Sequence, residues 1–475
     1  MAKVLLVTGG RLGDIFGRRK MFLFGVVVFG ASSALIGFSP DATWLVAFRA
    51  VQGVGAAFMM PATLSIISDA FPPHERGKAI GTWAGISALG LAIGPLVGGA
   101  LVEYVSWQSI FFINVPVAII AVFVTLIAAR ESRDTTISHR IDFPGIAAIS
   151  IGLTSLVLAL IEGNSWGWSS GRIVGLLVLA AVSLTLFFVI ELRSKSPMLD
   201  LSYFKSRSFL GANIVAFIVS FAMLAMFFFL ALYMQNVLGY SPLEAGARFL
   251  PATLVLIVVG PVSGRLTDKI GPRPLMTAGL FLVSISLFWQ SFIEIDSSYL
   301  FLAGAFVVMG LGMGMVMSPM STAAMNSVHV SKAGAASGVL SMSRMVGGTF
   351  GVAVMGAIVA GVGKSHLETS LASIPNLPAG KENQIADSFG GAGGLAAPGG
   401  QPIPGVVDAI SNAFVDALST GLILGSIVVF VGAITTWFLI AKKQPDSGDE
   451  DLTQPAADGY GPAADAEQQP QAALA

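Results

Sequence analysis

The 475-residue chain is 54% hydrophobic and only 11% charged, against roughly a quarter charged in an ordinary soluble domain. Its formal net charge of −1 gives no electrostatic case for a nucleic-acid partner. With no cysteine, disulfides, thiolate catalysis and cysteine-based metal sites are excluded, and the four histidines (His74, His139, His329, His366) are too scattered to pair on a metal.

Apolar stretches recur, each long enough for the ~20 residues that cross a bilayer as a helix. They lack the alternating pattern of a membrane barrel, so the expected class is an all-α polytopic membrane protein. Twelve complete spans are expected, near 21–38, 43–68, 78–104, 109–129, 143–161, 172–192, 209–234, 243–264, 274–293, 299–327, 334–360 and 414–441. Before the first of them, residues 4–13 look like a strand entering a glycine-rich dinucleotide loop. A membrane span follows where that fold needs a soluble helix, so the likeness carries nothing.

Basic residues crowd alternate loops, among them Arg11, Arg18, Arg19, Lys20, Arg76, Lys78, Arg130, Arg193, Arg265, Lys269 and Arg273. The other loops hold only Arg172, Arg248, Lys364 and Lys381. The positive-inside rule therefore places residues 10–20 in the cytoplasm and, with an even number of spans, the carboxy-terminal tail as well. Segment 361–413, rich in Gly and Pro, is expected to be an irregular external loop. Residues 442–475 are expected to be a disordered cytoplasmic tail.

The segment Gly10-Arg11-Leu12-Gly13-Asp14-Ile15-Phe16-Gly17-Arg18-Arg19 returns 254 positions later as Gly264-Arg265-Leu266-Thr267-Asp268-Lys269-Ile270-Gly271-Pro272-Arg273. At a spacing of 257, Gly53, Gly55, Gly77, Gly81, Gly90, Gly94 and Gly99 fall on Gly310, Gly312, Gly334, Gly338, Gly347, Gly351 and Gly356. Shared membrane composition explains apolar spans but not a charged loop repeated in register, so the chain is expected to be a duplication. Parallel repeats of this kind form two bundles that rock about a central site.

Three motifs resemble the major facilitator superfamily, and specifically its fourteen-helix drug:proton antiporter branch. Residues 10–20 match G-x-L-[GAS]-D-[RK]-x-G-[RK]-[RK] except at Ile15. Leu45 to Ala56 match L-x-x-x-R-x-x-Q-G-x-G-A through Arg49, Gln52, Gly53 and Gly55. Gly81 to Gly99 match the antiporter pattern through Gly90, Gly94, Pro95, Gly98 and Gly99.

The resemblance implies an amino-terminal bundle over 1–129, an inserted helix pair over 143–192 and a six-helix bundle over 209–441. It also implies two helices before residue 10, so the first and most of the second are expected to be absent. A start codon placed too far downstream is favoured over true truncation.

The implied function is proton-coupled efflux of small amphipathic or cationic compounds by alternating access. The protein would act as a monomer in the cell membrane, with the lipid bilayer, protons and a small-molecule substrate as its partners. No cofactor, metal or enzymatic chemistry is expected. The alternatives are an exporter of one endogenous metabolite and a truncated, non-transporting membrane protein.

Each motif also has a physical reading. Gly10 and Gly17 suit a turn, and Asp14 can pair with arginines and a helix amino terminus. The resemblance implies that these residues, with Arg11, Arg18 and Arg19, and with Gly264, Arg265, Asp268, Gly271 and Arg273 in the repeat, form a cytoplasmic gate. Arg49, several residues inside a span, is expected to be functional, and the resemblance implies that with Gln52, Gly53 and Gly55 it serves proton coupling. Gly81, Gly90, Gly94, Gly98 and Gly99 are expected to bring helix backbones close, with a bend at Pro95. Arg344, Met313, Met317, Phe228 and Tyr233 are expected to line a cavity. Acidic residues occur only near span ends, so these spans offer no obvious proton carrier.

Overall fold

The computed structural model describes residues 6–133, 142–194, 201–329, 332–372, 374 and 405–441; they form helices and short connections, with no strand among them. The first half comprises α1 (Leu6–Phe16), α2 (Arg18–Gly37), α3 (Ala42–Ala70) and α4 (Pro73–Tyr104), then a short α5 (Ser109–Phe112) leading into α6 (Asn114–Ala128). A helical pair follows, α7 (Phe143–Trp166) and α8 (Gly171–Arg193). The second half holds α9 (Arg207–Asn236), α10 (Pro242–Arg248), α11 (Leu250–Ile270), α12 (Pro272–Gln290), α13 (Tyr299–Met325), α14 (Ala333–Ile358), α15 (Lys364–Leu371) and α16 (Val406–Leu439).

Local chemistry sets the helix ends. Asp41 accepts from the amides of Thr43 and Trp44 at 2.8 and 3.1 Å to open α3, and Ser241 and Glu244 form a reciprocal capping box at α10. Gly17 (φ +114°) and Gly271 (φ +83°) break the chain after α1 and α11 at equivalent repeat positions, a conformation open to glycine at little cost. Lipid then dictates the surfaces: α6 exposes Val117, Ile120, Phe123 and Ile127, whereas α9 and α13 bury Phe209, Met226, Tyr233, Phe306 and Met309.

Eleven fully described segments are long and apolar enough to cross a bilayer. The twelfth expected span, α4, has 32 residues, about 48 Å at ~1.5 Å per residue. The repeat is visible in three dimensions: its spacing carries α1 onto the end of α11, α2 onto α12, α3 onto α13 and α4 onto α14. Two bundles result. Across their seam α4 packs along α11, α10 and α13, while α1 and α3 pack along α14. The α1–α14 and α11–α4 contacts are thus the same contact made twice with the halves exchanged. The pair α7 and α8 pack on each other, and α7 on α14.

Two expectations need correction. The segment 361–413 is not irregular at its flanks: α14 continues through a π turn at Val359–Gly363 into α15, and α16 starts at Val406. The glycine-rich stretch 390–394 and the tail from 442 lie outside the described residues. Gly10 is not a turn residue but lies within α1; only Gly17 breaks the chain there, and the helical reach of α1 is what carries Asp14 to the seam.

Glycine also sets spacing inside a bundle. A β-carbon at Gly55 would stand 2.6 Å from the Phe29 amide nitrogen and 2.8 Å from the Gly25 carbonyl oxygen, where α3 crosses α2. Gly55→Leu is therefore expected to destabilise the first bundle by at least about 1–3 kcal/mol, the range for overpacking. Gly175→Leu on α8, where a β-carbon meets nothing within 4 Å, is the neutral comparison. Thermal unfolding in detergent checks the difference.

Candidate functional site

At the end of the seam rich in basic residues, the last turn of α1 delivers Asp14 against the first turn of α14. Asp14 is fully buried; its Oδ1 accepts from the Gly334 amide at 3.0 Å and its Oδ2 from the Ala335 amide at 2.8 Å. Those amides belong to a helix amino terminus, which has no intrahelical partner for them and carries a partial positive charge. Arg18, at the start of α2 and equally buried, donates to Asp14 Oδ1 through Nη2 (3.0 Å) and Nε (3.1 Å) and reaches Asp69 Oδ1 at 3.1 Å with Nη1. The approach depends on glycine, because a β-carbon at Gly10 would collide with the Gly334 carbonyl oxygen.

The second half repeats this clasp with the halves exchanged. Asp268, near the end of α11, accepts from the amides of Gly77 and Lys78 at 3.1 and 3.0 Å at the start of α4. A β-carbon at Gly264 would collide with the Gly77 carbonyl oxygen. The clasps are unequal, however, since position 272 is proline where the first half has Arg18. Arg273 does not replace it: its guanidinium stacks on Trp437, 4.2 Å from the ring centroid. Arg11 and Arg265 make no ion pair among the described residues.

Three participants were not singled out from sequence. Asp69 receives Arg18. Arg76 donates to the carbonyls of Ser68 (3.0 Å) and Phe71 (3.2 Å) and, across the seam, to Asn326 Oδ1 (3.1 Å). Glu131 accepts from the amides of Arg19 and Lys20 at 3.1 and 3.2 Å, closing the start of α2. The repeat held a signal for the first two, because Asp69 and Asn326 stand 257 apart, an acceptor at the same place in each half.

Toward the other end, Arg49 donates through Nη1 to Gln52 Oε1 at 3.2 Å and lies 4.7 Å from the centroid of Phe111. Gln52, buried, donates to Ser33 Oγ, which also accepts from Asn114 Nδ2 at 3.3 Å. The network joins α2, α3 and α6. Arg49 itself is exposed, Gly53 is an ordinary turn of α3, and Gly55 makes the crossing on α2 described above.

The antiporter-type glycines divide into two groups. A β-carbon at Gly81 would stand 2.9 Å from the Gly260 carbonyl oxygen, and one at Gly99 would lie 3.3 Å from Leu243. Gly90, Gly94 and Gly98 meet nothing within 4 Å, so the close packing expected along the whole motif occurs only at its ends. The Pro95 side chain lies outside the described residues.

The expected cavity residues also separate. Met313 is buried in the core of the second half, Met317 is partly buried against it, and half of Phe228 is exposed. Tyr233 is buried and donates its hydroxyl to the Glu294 carbonyl, clipping α9 to the connection after α12. Its side chain has no exposed surface, so in this structure it faces no open cavity. Arg344 lies midway along α14, partly exposed.

A hydrogen bond to a charged group contributes about 1.5–3 kcal/mol, so Asp14→Asn should favour opening of this end by roughly tenfold or more. Because the chain has no cysteine, a single probe is clean. Ser337→Cys, at a buried seam position on α14 where the serine bonds to Pro61 O at 2.7 Å, should react with a maleimide at least tenfold faster in the Asp14→Asn background. Asp268→Asn should give a smaller increase, because that clasp lacks the arginine. Equal rates in all backgrounds would show that the clasps do not hold the seam.

Comparison with known proteins agrees with this architecture. Residues 4–352 match the Major Facilitator Superfamily profile. The chain is 32% identical to the tetracenomycin C resistance and export protein of Streptomyces glaucescens, over 96% of this chain and 85% of that protein. It is 36% identical to the multidrug resistance protein Stp of Mycobacterium tuberculosis, over 78% and 68%. The crystal structure of the human organic anion transporter MFSD10 (TETRAN) superposes with a TM-score of 0.58 at 15% identity, covering 90% of this chain and 81% of that one, which is a likeness of fold. The chain belongs to the Major Facilitator Superfamily, as a membrane-embedded secondary transporter, not an enzyme, related to multidrug-resistance proteins.

Proposed function

We propose that the protein is a proton-coupled exporter of small amphipathic compounds, working by alternating access between its two bundles. The observation that carries this is the exchanged pair of clasps, Asp14 on the start of α14 and Asp268 on the start of α4. Both close one end of the seam, the end whose basic loops support a cytoplasmic placement, and both are contacts between the bundles rather than within one. Movement of one bundle against the other would release them together and open that end.

The direction of transport rests on the relatives, whose names describe resistance and export. The helical pair α7 and α8, which has no counterpart in the repeat, supports the fourteen-helix branch. In this reading the carboxy-terminal tail is cytoplasmic and the monomer is the working unit. Arg49 and its hydrogen-bonded chain through Gln52, Ser33 and Asn114 are assigned to proton coupling. Export of a single endogenous metabolite is the second reading, favoured by the relative named for one compound, tetracenomycin C.

Proteoliposomes test the proposal. A pH gradient should drive accumulation of an amphipathic dye, and a protonophore should abolish it. Arg49→Gln should reduce gradient-driven transport at least tenfold while leaving thermal unfolding unchanged. Dye movement indifferent to the protonophore sinks the coupling, and full activity in the Arg49 variant removes that residue from it.

A further inference from the structure

Most arginines set inside a helix or at the seam have an acceptor or an aromatic face. Arg18 has two carboxylates, Arg76 has three oxygens, Arg49 has Gln52 and Phe111, and Arg248 rests on Tyr240 at 3.5 Å. Arg344 differs. It is the twelfth residue of the 26-residue α14, and among the described residues no hydrogen bond, ion pair or ring contact involves it. A charge at that depth facing lipid costs on the order of 2.5–3.5 kcal/mol or more, so such residues face a wet cavity or a partner.

Its surroundings leave it some access. Residues 333–340 of α14 are all buried, whereas 341–346, Arg344 among them, are all partly exposed. α14 is also the second-half helix that packs along α1 and α3 at the seam, where a hydrated space between the bundles would lie. Polar groups stand beside it: Ser343 donates to Asn213 Oδ1 on α9 at 3.0 Å. Met342 and Val346, both partly buried, add apolar surface.

No carboxylate is placed to neutralise the guanidinium. Among the described helices every Asp and Glu lies within five residues of a helix end, except Asp416 on α16, which pairs with His366 of α15 at 3.1 Å. An amphipathic cation entering here would meet a like charge, whereas an anion would supply the missing counter-charge and hydrogen-bond acceptors in the planar geometry guanidinium prefers.

We propose that Arg344 anchors the transported compound and that the compound carries a carboxylate or similar oxyanion on an apolar body, rather than the cationic group first expected. This rests on the transporter reading above for the word "transported", but not on its proton coupling or direction.

Two photoreactive probes with the same benzophenone body separate the charges: 4-benzoylbenzoate and (4-benzoylbenzyl)trimethylammonium. Irradiated with the purified full chain in lipid nanodiscs, the benzoate should crosslink saturably to peptides of α14 or α9, and the ammonium probe should neither crosslink there saturably nor compete. Arg344→Gln should lower saturable benzoate labelling at least tenfold, and Arg344→Lys, which keeps the charge, should retain much of it. Thermal unfolding reports whether the variants fold; if Arg344→Gln does not, the lysine variant and the two-probe competition on the unsubstituted protein decide. Undiminished labelling in Arg344→Gln, or stronger saturable labelling by the ammonium probe, overturns the proposal. No gradient is applied, so a failure of proton coupling leaves this result standing, and a protein that exports dye but shows no benzoate site defeats this inference alone.

Discussion

The structure depends on a carboxylate from one half bound to the unpaired amides that start a helix of the other. Lipid supplies no hydrophobic drive to press two bundles together, so their association rests on close packing and on hydrogen bonds. Helix amino termini at a seam must find acceptors, and an aspartate is the strongest short one available. The glycines are a condition of the same contact. Gly10 against Gly334 and Gly264 against Gly77 let the backbones approach until Asp14 and Asp268 reach their amides. A side chain at any of these positions would separate the helices before the carboxylate arrived.

Duplication explains why the clasp occurs twice, and divergence explains why its copies differ. Asp14 is bound by two amides and by Arg18, which is itself tied to Asp69, so the first clasp engages α1, α2, α3 and α14. Asp268 has two amides and Pro272 where an arginine would stand. Proline serves another need at that site, since it fits the first turn of α12 after Gly271 and requires no hydrogen bond. The link that Arg18 supplies on one side is partly made on the other by Arg76, which spans the seam to Asn326.

Much of this was legible in the sequence, for identifiable reasons. Apolar length gave the spans because hydrocarbon thickness fixes it, and the repeat spacing gave the pairing of helices because insertions between the charged segment and the glycines are few. Asp14 and Asp268 stood out as acids within basic runs. Their partners did not, because an amide of Gly334 or Lys78 is marked only by its position in a helix, and that is set by tertiary packing. Glu131 was hidden for the same reason. Composition misled at 361–371, where glycines that suggest a loop sit in a continuing helix with a π turn. It also misled at Tyr233, whose aromatic ring suggested a binding surface while its hydroxyl was committed to Glu294.

Arg49 and Arg344 show what depth alone leaves undecided. Both are arginines inside spans, and both are costly there on the same grounds. Arg49 sits in the half that also contributes Gln52, Ser33 and Asn114, so its charge enters a chain of donors and acceptors already closed upon itself. Arg344 sits on α14 in the other half, where the neighbouring Ser343 and Asn213 satisfy each other and leave the guanidinium without an acceptor among the described residues. The two halves therefore share the machinery that holds the seam but not the chemistry inside it. In the proposed mechanism a rocking motion needs matched contacts on both sides of the axis, which keeps the clasps paired. The interior carries no such constraint, because in that mechanism a single compound meets both halves at once and draws its proposed counter-charge from only one.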